Sequence, residues 1–183
     1  GPAVLVERDG RRAGAGASRV VGEGVEGEAL GLGGEMRARI LEALGDVELH
    51  GGEFAQWASA WTHYAAALDF WARSAEIELA TDRYLGILRK ITLHDGFPYA
   101  FRVPRRVFED AIAIARDARE ASLVQYGIAR HLMAYETRPL DMQEAGEAFE
   151  AALESGVEAD SDLLPRILFH HARWTENWGF AVL

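Results

Sequence analysis

The chain contains no cysteine among its 183 residues. Disulfide bridges, thiolate zinc sites and cysteine nucleophiles are therefore excluded, and a reducing compartment is favoured. No apolar run approaches the roughly 20 residues that a membrane-spanning helix needs. The sequence predicts a cytoplasmic protein without a membrane segment, held together by the packing of its 49% hydrophobic residues.

Basic residues are also scarce, since 19 Lys and Arg face 29 Asp and Glu for a formal net charge of -10. Binding a phosphate backbone requires a cluster of basic residues on the surface, so the acidic net charge argues against nucleic acid as the main partner. Residues 141–162 contain eight acidic residues and no Lys or Arg. Such a run is either a solvated helix face or a means of steering a charged partner.

Glycine and aromatic residues are unevenly distributed along the chain. Residues 1–34 hold ten of the nineteen glycines and no aromatic residue. This distribution predicts a Gly-rich N-terminal arm over residues 1–34 and a folded domain over residues 35–183. Within the arm, residues 3–12 read as a strand running into an Asp-Gly turn, so the arm either forms a short hairpin or stays flexible.

Apolar residues after position 35 recur at steps of three and four, which is typical of helices with one buried face. The pattern predicts an all-α fold with about seven helices, around residues 36–49, 54–71, 77–91, 108–118, 124–135, 142–153 and 164–178. Ser161 or Asp162 is predicted to cap the last helix. In the second helix, Tyr64 is predicted to be a buried knob between Ala60 and Ala67, and His63 falls on the opposite, exposed side.

Three helices share a bulky residue followed by glycine at a spacing of 41 residues: Leu44-Gly45, Leu85-Gly86 and Tyr126-Gly127. Two intervening helices share a second pattern, Ala60-x3-Tyr64-x2-Ala67 and Ala145-x3-Phe149-x2-Ala152. The combination resembles the tetratricopeptide (TPR-like) repeats. The resemblance implies stacked antiparallel helix pairs over about residues 36–179. An irregular helical bundle is the alternative, because repeat lengths vary and the family's closing proline is absent.

The resemblance also implies a scaffold that binds a protein or peptide partner on the wall formed by the first helix of each pair. The positions one turn around each glycine would line that wall. The candidate partner-binding residues are Glu42, Asp46, His50, Arg83, Lys90 and His131, with Ile87, Val124 and Ile128 beside them.

The sequence gives weaker support for an enzyme or a metal-binding protein. None of the six histidines is spaced to place two metal ligands on one helical face, so no metal site and no cofactor are predicted. Arg166 and His171 resemble the arginine-to-histidine motif of HEPN-type helical ribonucleases, in which the two side chains would serve a scissile phosphate. A ribonuclease that uses these two residues is therefore the alternative function.

The sequence as a whole favours a non-catalytic protein–protein interaction module: an adaptor, a regulatory domain or an assembly subunit. The last helix carries Trp174, Trp178 and Phe180, which would leave an apolar edge. We therefore expect either a homo-oligomer formed through the C-terminal helix or a further downstream segment that covers this edge.

Overall fold

The computed structural model describes the backbone of residues 17–99, 101, 103–135, 139–154, 160 and 162–182, and side chains within 33–99, 101, 103–134, 140–154, 160 and 162–178. These residues form seven helices and no strand, so the predicted all-α class is confirmed for the described chain. The helices are α1 (Ala17–His50), α2 (Phe54–Trp71), α3 (Ile77–Leu93), α4 (Arg105–Ile114), α5 (Ala118–Tyr135), α6 (Pro139–Glu154) and α7 (Leu163–Val182).

Several helix boundaries differ from prediction, and α5 begins at Ala118, six residues before the predicted start. Helix α1 begins at Ala17 instead of near Met36. The hairpin predicted over residues 3–12 lies outside the described residues. Helix α4 ends at Ile114 although the apolar pattern continues to Ala118, because Asp117 accepts a hydrogen bond from the backbone N–H of Glu120 (2.8 Å) and thereby caps α5.

The chain divides into two compact units, residues 1–36 and 37–183, and all contacts described below lie within the second. Its odd-numbered helices run in one direction. Asp46 and Glu42 of α1 pair with Lys90 and Arg83 of α3, so residue numbers rise together along the two helices. Helices α3 and α5 are also parallel. Arg116, just before α5, pairs with Asp82 near the start of α3, and Arg130 near the end of α5 donates to the Thr92 carbonyl near the end of α3.

The even-numbered helices run the opposite way. Residues 42 and 46 of α1 contact residues 71 and 64 of α2, and Ser122 of α5 donates to the Ala152 carbonyl of α6 (2.6 Å). We call α1 (from residue 37), α3, α5 and α7 the first-helix layer, and α2, α4 and α6 the second-helix layer. Consecutive helices are therefore antiparallel, and the hydrophobic core lies between the two layers.

Aromatic knobs enter this core between alanines, as predicted. Tyr64 is fully buried between Ala60 and Ala67, which are also fully buried. Phe149 is buried in the same way on α6. The alanines let the neighbouring helix approach closely around one large ring.

The three equally spaced glycines have three different environments. A Cβ at Gly45 would lie 2.6 Å from the ring of Tyr64 on the following helix, whereas one at Gly127 would lie 2.5 Å from Phe108 on the preceding helix. A Cβ at Gly86 would meet nothing within 4 Å. The equal spacing therefore does not reflect equal packing.

Gly127→Ala should destabilise the protein by about 1 kcal/mol or more, because the added methyl group must displace the buried Phe108 ring. Gly86→Ala is the matched control and should stabilise the helix by about 0.5–1 kcal/mol, since alanine is the better helix former. Urea unfolding followed by circular dichroism measures both changes. Equal effects at the two positions would show that Gly127 does not accommodate Phe108.

Candidate functional site

The predicted residues of α1 and α3 meet in a group of hydrogen-bonded ion pairs. The carboxylate of Glu42 accepts from the indole Nε1 of Trp71 (2.6 Å) and from Nη1 of Arg83 (3.3 Å), and its side chain is buried. Asp46 accepts from Lys90 Nζ (2.6 Å) and from the Tyr64 hydroxyl (2.7 Å). These carboxylates thus join the first-helix layer to aromatic residues of α2.

Five of the six candidate partner-binding residues come together here. His50 joins Glu42, Asp46, Arg83 and Lys90, because its Nδ1 lies 2.6 Å from the Asp46 carbonyl oxygen on the exposed end of α1. His131 lies elsewhere, half-buried with its ring centroid 6.2 Å from that of Phe108. All three further positions are apolar and packed inside: Ile87, Val124 and Ile128.

A second group of ion pairs centres on Asp160, which is only 2% exposed. Its carboxylate accepts two hydrogen bonds from Arg89 of α3 (2.7 and 3.0 Å) and one from Arg119 of α5 (2.9 Å). It also accepts from the backbone N–H of Leu163 (3.1 Å), so Asp160 caps α7 in place of the predicted Ser161 or Asp162. The hydrogen bonds from Arg89 and Arg119 hold the pKa of Asp160 below its usual range.

Between α3 and the start of α5 the surface forms a cleft of about 400 Å³. Its floor contains Gly86, whose missing side chain leaves it open. Apolar Leu85 and Leu123 lie beside the glycine, and the rim carries three arginines and three acidic residues: Arg89, Arg116, Arg119, Asp82, Asp117 and Glu120. Arg116 bridges the rim by pairing with both Asp82 and Glu120.

The buried guanidinium of Arg130 on α5 connects this helix to the end of α3 and the loop that follows it. Arg130 donates to the carbonyl of Thr92 (2.9 Å), in the last turn of α3, and to that of Phe97 in the following loop. It also lies over the Phe97 ring, 5.0 Å from the centroid. Burial lowers the pKa of Arg130, and the carbonyl dipoles compensate its charge. Arg130 therefore fixes where α3 ends and the loop begins.

Sequence reasoning missed Asp160, Arg89, Arg119 and Arg130. Only one signal was present: arginine stands at 89 and 130, three residues after Gly86 and Gly127. His63 also differs from prediction, because it is half-buried with Nε2 3.4 Å from Glu48 Oε2. Ser59 donates to the other oxygen of Glu48 (2.8 Å). His63 thus packs against α1 and is not fully exposed.

Arg166 and His171 face different neighbours. Arg166 pairs with Asp95 of the α3–α4 loop (3.1 Å), whereas the His171 ring lies against Phe149 of α6 and stacks on Trp174. The histidine beside Arg166 is His170, whose Nδ1 lies 2.9 Å from the Tyr126 hydroxyl. Burial lowers the pKa of His170 to about 4, so it is uncharged at neutral pH.

Within the described residues, no three His, Asp or Glu side chains form a group that could hold a metal ion. No helix among them combines the length and the apolar character needed to cross a bilayer. No family model, curated protein or solved structure matches the chain.

Asp160→Asn should cost about 2 kcal/mol of unfolding free energy, because the buried side chain keeps its size but loses the charge that strengthens its hydrogen bonds from Arg89 and Arg119. Asp162→Asn is the control. Its carboxylate is exposed and 4.0 Å from Arg89, so its loss should change stability by less than about 0.5 kcal/mol. Urea unfolding at neutral pH measures both variants. Similar losses for the two would mean that Asp160 is not the residue that joins the helices.

The acid dependence of stability tests the same contact. The folded pKa of Asp160 is depressed, so its contribution is complete above the ordinary aspartate pKa of 3.8 and is lost as pH falls below that value. The wild-type chain should therefore lose stability in this range more steeply than Asp160→Asn. Parallel curves for the two proteins would contradict the assignment.

Proposed function

We propose that the chain is a non-catalytic protein–protein interaction module, acting as an adaptor, a regulatory domain or an assembly subunit in the cytoplasm. A polar segment of a protein partner binds the first-helix layer, across the cleft over Gly86. The observation that supports it is the cleft itself, which has an open floor and a rim of both charges.

The rim suits a peptide better than a nucleic acid. Arginine and carboxylate side chains together can bind the carbonyl and N–H groups of an extended chain and the charged side chains on it. A phosphate backbone would meet Asp82, Asp117 and Glu120 beside the arginines. The net charge of -10 opposes it further.

The two-layer arrangement also supports a TPR-like scaffold. Parallel contacts join α1 to α3 and α3 to α5, and the second helices run antiparallel to them. A stack of this kind presents its first helices as one continuous surface. The ion pairs between Glu42 and Arg83 and between Asp46 and Lys90 extend that surface from the cleft towards α1.

No observation favours the ribonuclease alternative. Arg166 and His171 would have to act on one phosphate, yet their side chains contact different elements on two sides of α7. His170, the histidine nearer to Arg166, is held neutral by burial.

Gly86→Leu should abolish partner binding without harming the fold, because a side chain at position 86 meets open space and fills the cleft. We would select peptides that bind the wild-type chain from a displayed random library. Their affinities for wild type, Gly86→Leu and the mild Gly86→Ala would then be compared by calorimetry. We expect at least a tenfold loss for leucine and a smaller loss for alanine.

Thermal unfolding controls for the fold of each variant. Selected peptides that bind Gly86→Leu as tightly as wild type, or a library that yields no binder, would count against a peptide site in this cleft.

We further propose that copies of the chain associate through α7. Leu168 and Phe169 are exposed on this helix, and Trp178 is partly exposed near its end. Trp174, the other aromatic residue of the predicted edge, instead donates to the Met142 carbonyl of α6 (2.9 Å). The side chain of Phe180 is outside the described residues. The remaining patch is therefore centred on Leu168 and Phe169.

Phe169→Glu should lower the weight-average mass measured by light scattering at high protein concentration, because it places a charge in the apolar patch. Glu176→Gln is a control on the exposed, polar part of the same helix. A mass that stays unchanged in Phe169→Glu would exclude this interface.

A further inference from the structure

A groove of about 700 Å³ lies between α2 and α4, with α3 as its floor. It shares no lining residue with the cleft over Gly86, so the two are separate places on the described surface. Small-molecule sites in proteins have volumes of about 300–1,000 Å³. The groove is therefore large enough for a small molecule.

The walls of this groove combine small and aromatic side chains. Ala65 lies on the α2 wall and Ala113 on the α4 wall, with Trp61 and Tyr84 among the larger residues of the lining. The alanines leave the space between the helices open, and the rings give it an apolar surface. Ile77 also lines the groove and is 74% exposed, so an apolar molecule bound here would remove it from water.

The charged residues at the groove cancel in pairs. Asp69 near the end of α2 pairs with Arg73, and Asp110 on α4 pairs with Arg106 at 3.6 Å. The groove thus presents two arginines and two aspartates, each charge with a partner of opposite sign. An ion entering an apolar space needs an unpaired partner to offset its loss of hydration. The lining therefore suits an uncharged molecule better than an acid or a base.

One buried polar side chain of the floor has no partner. Thr81 is only 4% exposed, and its hydroxyl makes no hydrogen bond to any described residue. In contrast, the helical residues Thr62 and Thr175 donate to the carbonyl four residues earlier (3.3 and 2.9 Å). The Thr81 oxygen also differs from that of Thr92, which has no partner but is sealed from solvent. Because Thr81 lines the groove, its accessible hydroxyl opens into it.

Two other hydroxyl groups of the lining are already engaged. The Tyr84 hydroxyl donates to the Val107 carbonyl (3.2 Å), and the Ser74 oxygen accepts from the backbone N–H of Glu76 (3.3 Å). Thr81 is thus the buried side chain that is left to orient a bound molecule. A hydroxyl both donates and accepts, so it can bind a hydroxyl, a carbonyl or an amine.

From these observations we propose that the α2–α4 groove binds an uncharged small molecule that has an aromatic or alicyclic body and one hydroxyl, carbonyl or amine group. The body lies against the apolar walls, and the polar group forms a hydrogen bond with Thr81. Sites of this kind use apolar contact for affinity and a few placed polar groups for orientation. This site is independent of the cleft over Gly86 and of the α7 patch.

The dye N-phenyl-1-naphthylamine is a suitable probe, because it is uncharged, has two aromatic ring systems and carries one N–H that the Thr81 hydroxyl can accept. Its fluorescence rises when it leaves water for an apolar site. For a ligand of this size we expect a dissociation constant on the order of 10 µM.

The anionic analogue 8-anilino-1-naphthalenesulfonate tests the charge preference. It has the same rings with an added sulfonate and should bind about threefold more weakly or worse, since both arginines at the groove are already paired. Tighter or equal binding of the anion, or a wild-type chain that does not bind the uncharged dye, would overturn the proposal.

Thr81→Val tests the hydrogen bond, because valine has nearly the same shape without the hydroxyl. Affinity for the uncharged dye should fall about fivefold, whereas Thr81→Ser keeps a hydroxyl and should bind more tightly than Thr81→Val. The midpoint of thermal unfolding without dye should not fall in Thr81→Val, since no hydrogen bond within the chain is lost. Unchanged affinity, or a lower midpoint in Thr81→Val, would contradict the assignment of Thr81.

Ala113→Trp tests the location of the site. Ala113 is exposed on the α4 wall, so an indole at this position should fill the groove and lower dye affinity about tenfold or more. Ala66→Trp is the matched control, because Ala66 is an exposed alanine of α2 outside the groove, and Phe169→Glu is the control for the α7 patch. Both should bind the dye as wild type does. Binding that survives in Ala113→Trp, or that is lost in either control, would place the dye elsewhere and refute the groove as its site.

Discussion

The first-helix layer depends on one buried carboxylate. Asp160 accepts from Arg89 on α3, from Arg119 on α5 and from the first turn of α7, so a single side chain fixes three parallel helices. Carboxylates are rarely buried without such partners, because an unpaired charge in the interior costs several kcal/mol. Arg89 and Arg119 also form part of the rim of the cleft over Gly86. Their ion pairs with Asp160 therefore fix the positions of two residues of the candidate binding surface.

Arg130 has the corresponding role on the inner side of the layer. Its guanidinium satisfies carbonyls at the end of α3 and in the loop that leads to α4. Helix α4 spans only Arg105–Ile114, so this loop, with buried Phe97 and Phe101, covers part of the core that a longer helix would cover. The long loop and the short helix together make the second-helix layer irregular, in contrast to the regular spacing of the glycines.

Local pattern predicted the helices but not the ion pairs between them. Apolar residues at steps of three and four placed α2, α3 and α7, and identified Tyr64 as buried, because these are properties of one helix face. The same rule placed the end of α4 too late, since the apolar pattern continues to Ala118 while α4 ends at Ile114 and a side-chain cap at Asp117 begins α5. Asp160 and Arg89 are 71 residues apart, so neither residue carries a local sign of its partner.

The shared direction of the odd-numbered helices has a further electrostatic consequence. Their dipoles add, which gives one edge of the layer a partial positive charge and the other a partial negative charge. The side chains compensate this difference: Glu78 and Glu120 lie in first turns of α3 and α5, whereas His50 and Lys90 lie in last turns of α1 and α3. Helix α3 thus carries compensating charge at both ends and α5 at its first turn, which reduces the repulsion between these aligned dipoles.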